Sequence, residues 1–136
     1  MLAAAIPVVA TIVITWWPKD DAPACASPPC GESIGVDVKI VNTWEASQQR
    51  LIGVNFYPSP HSNARTDADG SAAEGAIARV VCQERHGRLV KDTPYGTRPT
   101  RSTVWNKTNT GRYFSDIYSD LPKVDGDTPP RGLPNC

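Results

Sequence analysis

Proline and glycine punctuate this chain from Pro7 to Pro134, thirteen and ten times, with no repeat. Proline lacks an N–H and pins φ, and glycine weakens regular elements, so a sequence divided this often folds into short strands and turns rather than long helices. The 136 residues hold at most one small domain, because the apolar N-terminus and the Pro-rich stretches leave roughly 80–100 residues for a packed core. A mainly β domain rich in loops is the expectation. Acidic and basic side chains number 14 each, so no basic face marks nucleic acid as a partner.

Cys25, Cys30, Cys82 and Cys136 form an even set behind a hydrophobic N-terminus, the pattern of a small exported domain with disulfides. Zinc is the competing reading. Cys25 and Cys30 stand at the upper limit of ligand spacing, and neither Cys82 nor Cys136 belongs to a second close pair, so disulfides are preferred. The turn-prone spacer Ala26-Ser-Pro-Pro29 brings Cys25 and Cys30 within bonding reach, leaving Cys82 to pair with Cys136 and pin the C-terminal tail.

Leu2 to Trp17 carries no charge, and sixteen residues at ~1.5 Å each span about 24 Å as a helix. Residues 1–17 therefore read as a single membrane helix or a signal peptide. Trp16-Trp17 favours an anchor retained at the membrane interface, whereas Ala22-Pro-Ala24 offers a cleavage site that would release a secreted form. Ala22-Pro-Ala-Cys25 is a poor lipidation signal, separated from the apolar run by Lys19, Asp20 and Asp21. Residues 18–34, with four prolines, form an extended stalk.

Residues 35–121 carry the domain. Val36, Val38 and Ile40 alternate with Asp37 and Lys39 over Gly35–Val41, the period of a half-buried strand. Trp44–Arg50 is polar and reads as one helical turn, Leu51–Tyr57 as a strand, and His61–Ser71 as a loop turning at Asp69-Gly70. Ala76–Gln83 is β-branched and strand-like, against a helix through Ala73, Ile77 and Val81, and Arg85–Arg88 reads as a hairpin connection to Leu89-Val90. Thr103–Thr108 and Arg112–Ser119 flank Asn109-Thr-Gly111 as a second hairpin. The Pro/Gly-rich tail 122–136 is extended and depends on Cys136 to hold it.

Val80-Val-Cys-Gln83, Tyr95-Gly-Thr97, Val104-Trp-Asn-Lys107, Gly111-Arg-Tyr113 and Ser115-Asp-Ile-Tyr118 follow one another in an order that resembles the bacterial Src-homology-3 (SH3-type) domains of exported actinobacterial proteins. The resemblance runs from about Val54 to Leu121. It departs at Phe56–Pro60 and in the long loop to Gly75, beside the place where a ligand groove would lie. What it implies is a small SH3-like β-barrel used for binding.

Trp105 is expected in the core, since a small domain relies on its aromatics for buried area. Tyr57, Tyr95 and Tyr113, near loops, are the candidates for an exposed ligand-binding surface. Asp116 reads as an acceptor closing a local turn with Ser115. Cys82 and His86 lack the third group of a nucleophilic triad, and His61 and His86 have no partner at metal spacing, so neither catalysis nor a metal or other cofactor is expected. Asn106-Lys-Thr108 matches a glycosylation acceptor by chance. The chain thus reads as a non-catalytic extracytoplasmic module that recognises a cell-envelope peptide, glycan or protein. The alternative is an accessory single-pass subunit of a membrane protein complex.

Overall fold

The computed structural model describes residues 35–130 and 132–136, which fall within one compact unit, Ser33–Cys136. The membrane segment over 1–17, the stalk and the Cys25–Cys30 pair lie outside the described residues. Among the described residues the structure is mainly β, with no α-helix. Ten strands follow in chain order: β1 (Val36–Lys39), β2 (Trp44–Glu45), β3 (Arg50–Leu51), β4 (Val54–Asn55), β5 (Ser71–Ala72), β6 (Ile77–Glu84), β7 (Val90–Lys91), β8 (Arg101–Ser102), β9 (Trp105–Thr108) and β10 (Tyr113–Ser115). A 3₁₀ turn, Asp116–Tyr118, follows the last.

Four strands make the main antiparallel sheet, in the order β1-β6-β9-β10, and three ribbons pair β2 with β3, β4 with β5 and β7 with β8. The alternation along β1 is realised: Val38 and Ile40 are wholly buried while Asp37 and Lys39 face water. They join Val54, Ala78, Val80, Phe114 and Leu133 in the apolar core. Residues 77–84 form a strand and not a helix, and β9 and β10 form the expected hairpin, Gly111 taking the left-handed φ of +81° that the three-residue connection requires.

The expected barrel does not close; the sheets are open. β10 gives way after three residues to the 3₁₀ turn, whose Ile117 N–H is capped by the Ser115 hydroxyl, so the returning chain meets the end of β1 not as a strand but through the isolated bridge Ile40–Ser119 and the bond from Asp120 N–H to the Lys39 carbonyl at 3.1 Å. Residues 44–51 likewise form a hairpin, β2 to β3, and not a helical turn. The Glu45 carboxylate accepts both the N–H and the hydroxyl of Ser47, a local closure that competes with a helix, and Gln49 turns back at φ +50°. The strand expected over Leu51–Tyr57 breaks at Gly53, φ +79°, where a Cβ would meet the Ala72 carbonyl oxygen at 2.2 Å. Arg85–Arg88 does not turn β6 back onto β7: Gly87 N–H bonds the Thr103 carbonyl at 2.9 Å and β7 pairs with β8.

One irregularity in β6 decides what the inner face contains. Val80 is opposite Thr108 but Cys82 is opposite Lys107, so an extra residue, a β-bulge, sits between them. A one-residue shift exchanges the two faces of a strand. Ala78 and Val80 are buried before it; after it the buried residues are Gln83 and Arg85, not Cys82 and Glu84. Inside, Gln83 Nε2 donates to Asn106 Oδ1 at 2.7 Å, and Asp116 Oδ1 accepts from Asn106 Nδ2 at 2.9 Å, Gln83 Nε2 at 3.3 Å and the Ser119 hydroxyl at 2.5 Å. Lys123 Nζ lies 3.2 Å from Asp116 Oδ2. Among the described residues no buried side-chain nitrogen or oxygen lacks a partner.

Cys82, turned away from that face, bonds Cys136 with the Cα atoms 5.0 Å apart, the pairing expected from the sequence. The tail does more than extend. Gln83 N–H bonds the Pro134 carbonyl at 3.0 Å, Cys136 N–H bonds the Gln83 carbonyl at 2.9 Å, and Asn135 forms a parallel bridge to Gln83. Upstream, the Val124 and Gly126 carbonyls accept from the buried Arg85 guanidinium at 2.5 and 3.0 Å.

Candidate functional site

Trp105 starts β9 on the face opposite Asn106, so its indole sits away from the polar network, 1% exposed. The ring meets Tyr57 edge to face at 5.6 Å and 85°. Its Nε1 donates to the Arg88 carbonyl at 2.8 Å, and the Arg88 guanidinium lies 5.2 Å from the indole and 5.9 Å from the Tyr57 ring. This seat needs glycine at 87, because a Cβ there would fall 2.2 Å from Trp105 Cδ1. Arg88 is fixed in turn by its Nε bond to the Ser62 carbonyl at 2.6 Å.

Beside this group a cleft of roughly 270 Å³ opens between Ile52–Asn55 and Leu89–Lys91, floored by Tyr57, Trp105, Ser115 and Tyr118. Ile52 and Leu89 stand on it 49% and 38% exposed. Among the described residues Arg88 and Lys91 are its charged side chains, and no Asp or Glu lines it. Tyr118 donates to Asp92 Oδ2 at 2.5 Å, and Arg98 Nη2 holds Asp92 Oδ1 at 3.1 Å. Burial first, and the Asp92 carboxylate second, push the Tyr118 phenol well above its ordinary pKa.

The three tyrosines expected on a binding surface separate. Tyr57 and Tyr113 are neighbours, exchanging both main-chain hydrogen bonds at 2.9 and 2.8 Å. Tyr57 is not exposed as expected. It is 9% exposed because its ring packs on Trp105 and its phenol donates to the Ala64 carbonyl at 3.3 Å. Tyr113 is half-buried, with the Lys107 ammonium 5.7 Å over its ring. Tyr95 belongs to another cluster, stacked on Trp44 at 5.3 Å and 5°, with Arg98 5.7 Å from its ring.

Trp105 is buried as expected, yet it also floors the cleft. Asp116 is an acceptor in its own turn, but from Ser119 and not with Ser115 as expected, because the Ser115 hydroxyl caps Ile117 instead; its role also reaches further, to Gln83, Asn106 and Lys123. Burial lowers the Lys123 ammonium below the usual lysine value, with Asp116 opposing that shift. Cys82 is in a disulfide, and the exposed His86 carries Asp127 Oδ1 on Nε2 at 2.9 Å. Among the described residues no three His, Cys, Asp or Glu side chains converge as a metal site. Sequence reasoning missed Ile52, Arg88, Leu89 and Tyr118 as cleft residues. Gly87-Arg88 was the available signal, a glycine against a tryptophan eighteen residues on, but only the fold shows that the two touch.

Comparison with protein-family models, with curated proteins and with solved structures returns no match for this chain.

Proposed function

We propose that residues 35–121 form an SH3-like, non-catalytic binding module, held outside the cytoplasmic membrane by the N-terminal segment, that recognises a cell-envelope peptide, glycan or protein in the Trp105 cleft. One observation carries this reading: a fixed aromatic and guanidinium group, Trp105, Tyr57 and Arg88, sits at an open cleft whose rim is Ile52 and Leu89. Concave sites with a largely apolar lining and a few placed polar groups are the usual form of a ligand site. The SH3-like part of the reading is supported by the motif pieces that suggested it. Val80–Gln83 lies in β6, Trp105–Lys107 in β9, and Ser115–Tyr118 at the end of β10 and in its 3₁₀ turn, so they are spatial neighbours in sequence order.

Binding of the full chain to purified envelope fractions tests the proposal. Leu89→Asp, at an exposed rim position, is expected to weaken binding at least tenfold with unchanged near-ultraviolet circular dichroism; unchanged binding refutes the cleft as the site. A Lys19-onward form that binds as well as the intact chain fits the module reading, and one that does not bind fits the accessory-subunit reading.

A further inference from the structure

The side chains of the cleft define its chemistry, but its two walls also present main chain. In an antiparallel pair, residues alternate between those whose N–H and C=O point at the partner and those that point away. Phe56 is of the first kind towards the β4–β5 ribbon: its N–H bonds the Gly70 carbonyl at 2.9 Å and its carbonyl accepts from Asp69 at 2.7 Å. Val54, opposite Ala72, has the same parity, so Asn55 points its main chain away from β5. On the other wall Asp92 N–H bonds the Thr100 carbonyl at 2.9 Å, which gives Val90 the inward parity and turns the main chain of Lys91 away from β8.

The outward edge of β4 is able to take a strand, because two residues further on it does: Tyr57 exchanges both hydrogen bonds with Tyr113. Continued in register, Asn55 would meet Ser115, but Ser115 caps the 3₁₀ turn and no main-chain bond joins the two among the described residues. The edge stops being used where the cleft begins. Unpaired strand edges are templates for an added strand.

Resting on the reading of this cleft as a binding site, we propose that its ligand is an extended acidic peptide, which adds as a strand along the Asn55 edge of β4 with Lys91 across from it. Main-chain bonds to the edge supply register. Alternate side chains then face the Tyr57, Trp105 and Tyr118 floor, where apolar residues fit. Acidic residues suit the positions between, since among the described residues Arg88 and Lys91 are the charged groups of the lining and no carboxylate lines it, Asp92 behind Tyr118 being paired with Arg98.

The probe is a blocked synthetic peptide of alternating valine and glutamate, titrated into the full chain at low salt with tryptophan fluorescence as the signal. Saturable binding is expected, with a Kd at least tenfold higher for the valine–lysine peptide and for a valine–glutamate peptide N-methylated at alternate residues. Lys91→Glu, at an exposed position, is expected to weaken the glutamate peptide roughly fivefold and to strengthen the lysine peptide. Equal affinity for the glutamate and lysine peptides overturns the acidic ligand, and undiminished binding of the methylated peptide overturns strand addition. Failure of every peptide, while envelope material still binds with Leu89→Asp sensitivity, overturns this inference and leaves the binding site standing; a glycan released from that material and bound in the cleft would have the same meaning.

Discussion

The inner face of the main sheet has two ends made of different matter. Around Val38, Ile40, Val80 and Phe114 it is apolar, held by burial that is non-directional and tolerant of small changes in shape. Around Gln83, Asn106, Asp116 and Ser119 it is a hydrogen-bonded network in which single atoms carry several bonds, Asp116 Oδ1 accepting three. One strand, β6, contributes to both, and the bulge between Val80 and Cys82 is the boundary. The two ends should therefore fail differently: the apolar end by degrees, in proportion to volume removed, and the polar end abruptly, when one member leaves the others buried and unpaired.

Phe114→Ala tests the apolar end and should have the largest effect, a loss of about 4 kcal/mol in urea unfolding, with Phe114→Leu losing only about 1 kcal/mol. Equal losses for the two would mean that this end also depends on one exact shape.

How much of this was legible follows the same boundary. The β1 strand, the β9–β10 hairpin, the burial of Trp105 and the Cys82–Cys136 pairing were readable because each rests on local period, turn chemistry, a small domain's need to bury its aromatics, or elimination among few cysteines. The bulge was not, for Val80-Val-Cys-Gln-Glu84 alternates no differently with it than without it. With the bulge unseen, Gln83 and Arg85 could not be placed inside, nor Asp116 given partners beyond its own turn. The helical turn over Trp44–Arg50 failed because Ser47 closes on Glu45, a side-chain bond that propensity does not weigh. The cleft was illegible for another reason: its walls come from segments thirty-odd residues apart, and the path of each depends on ribbons that are two residues long.

The disulfide borders the polar end, since Cys82 precedes Gln83. Cys136→Ser should lower stability by about 3 kcal/mol, somewhat under the ~4 kcal/mol that loop-closure entropy gives for a separation of 54 residues. Hydrogen exchange would sharpen the comparison. The Gln83 amide, which bonds the tail, should lose protection in this variant while the Val80 amide keeps it.

Asp116→Ala should cost about 2 to 3 kcal/mol by leaving Gln83, Asn106 and Ser119 without their shared acceptor and Lys123 without its counter-charge. The partial exposure of the Lys123 side chain, 31%, keeps the figure from being larger. Asp116→Asn, of nearly the same volume, should still lose more than Phe114→Leu; the reverse order, read from urea midpoints, would erase the distinction between the two ends.

The smallest effect belongs to Tyr118, in the floor of the cleft. Its phenol has a folded pKa raised above the ordinary value near 10, so the stability it contributes is complete below that pH and is lost as the pH climbs towards the folded value. Tyr118→Phe should cost about 1 kcal/mol at neutral pH, for the bond to Asp92, and the gap from the unsubstituted chain should narrow above about pH 10. A gap that stays constant to pH 11 would show that the phenol titrates alike in both states.

The carbonyls of Val124 and Gly126 act on Arg85 as a fixed solvent, taking the place of the water that its burial removed. A main-chain carbonyl is offered by any residue, and Val124 itself faces outward. Val124 and Asp125 should thus accept nearly any replacement, whereas Gly126, held at φ +84°, should not, and the removal of even one residue would draw both oxygens away from the guanidinium. A segment that keeps its length and its glycine while the residues before that glycine drift is the evolutionary trace to expect there.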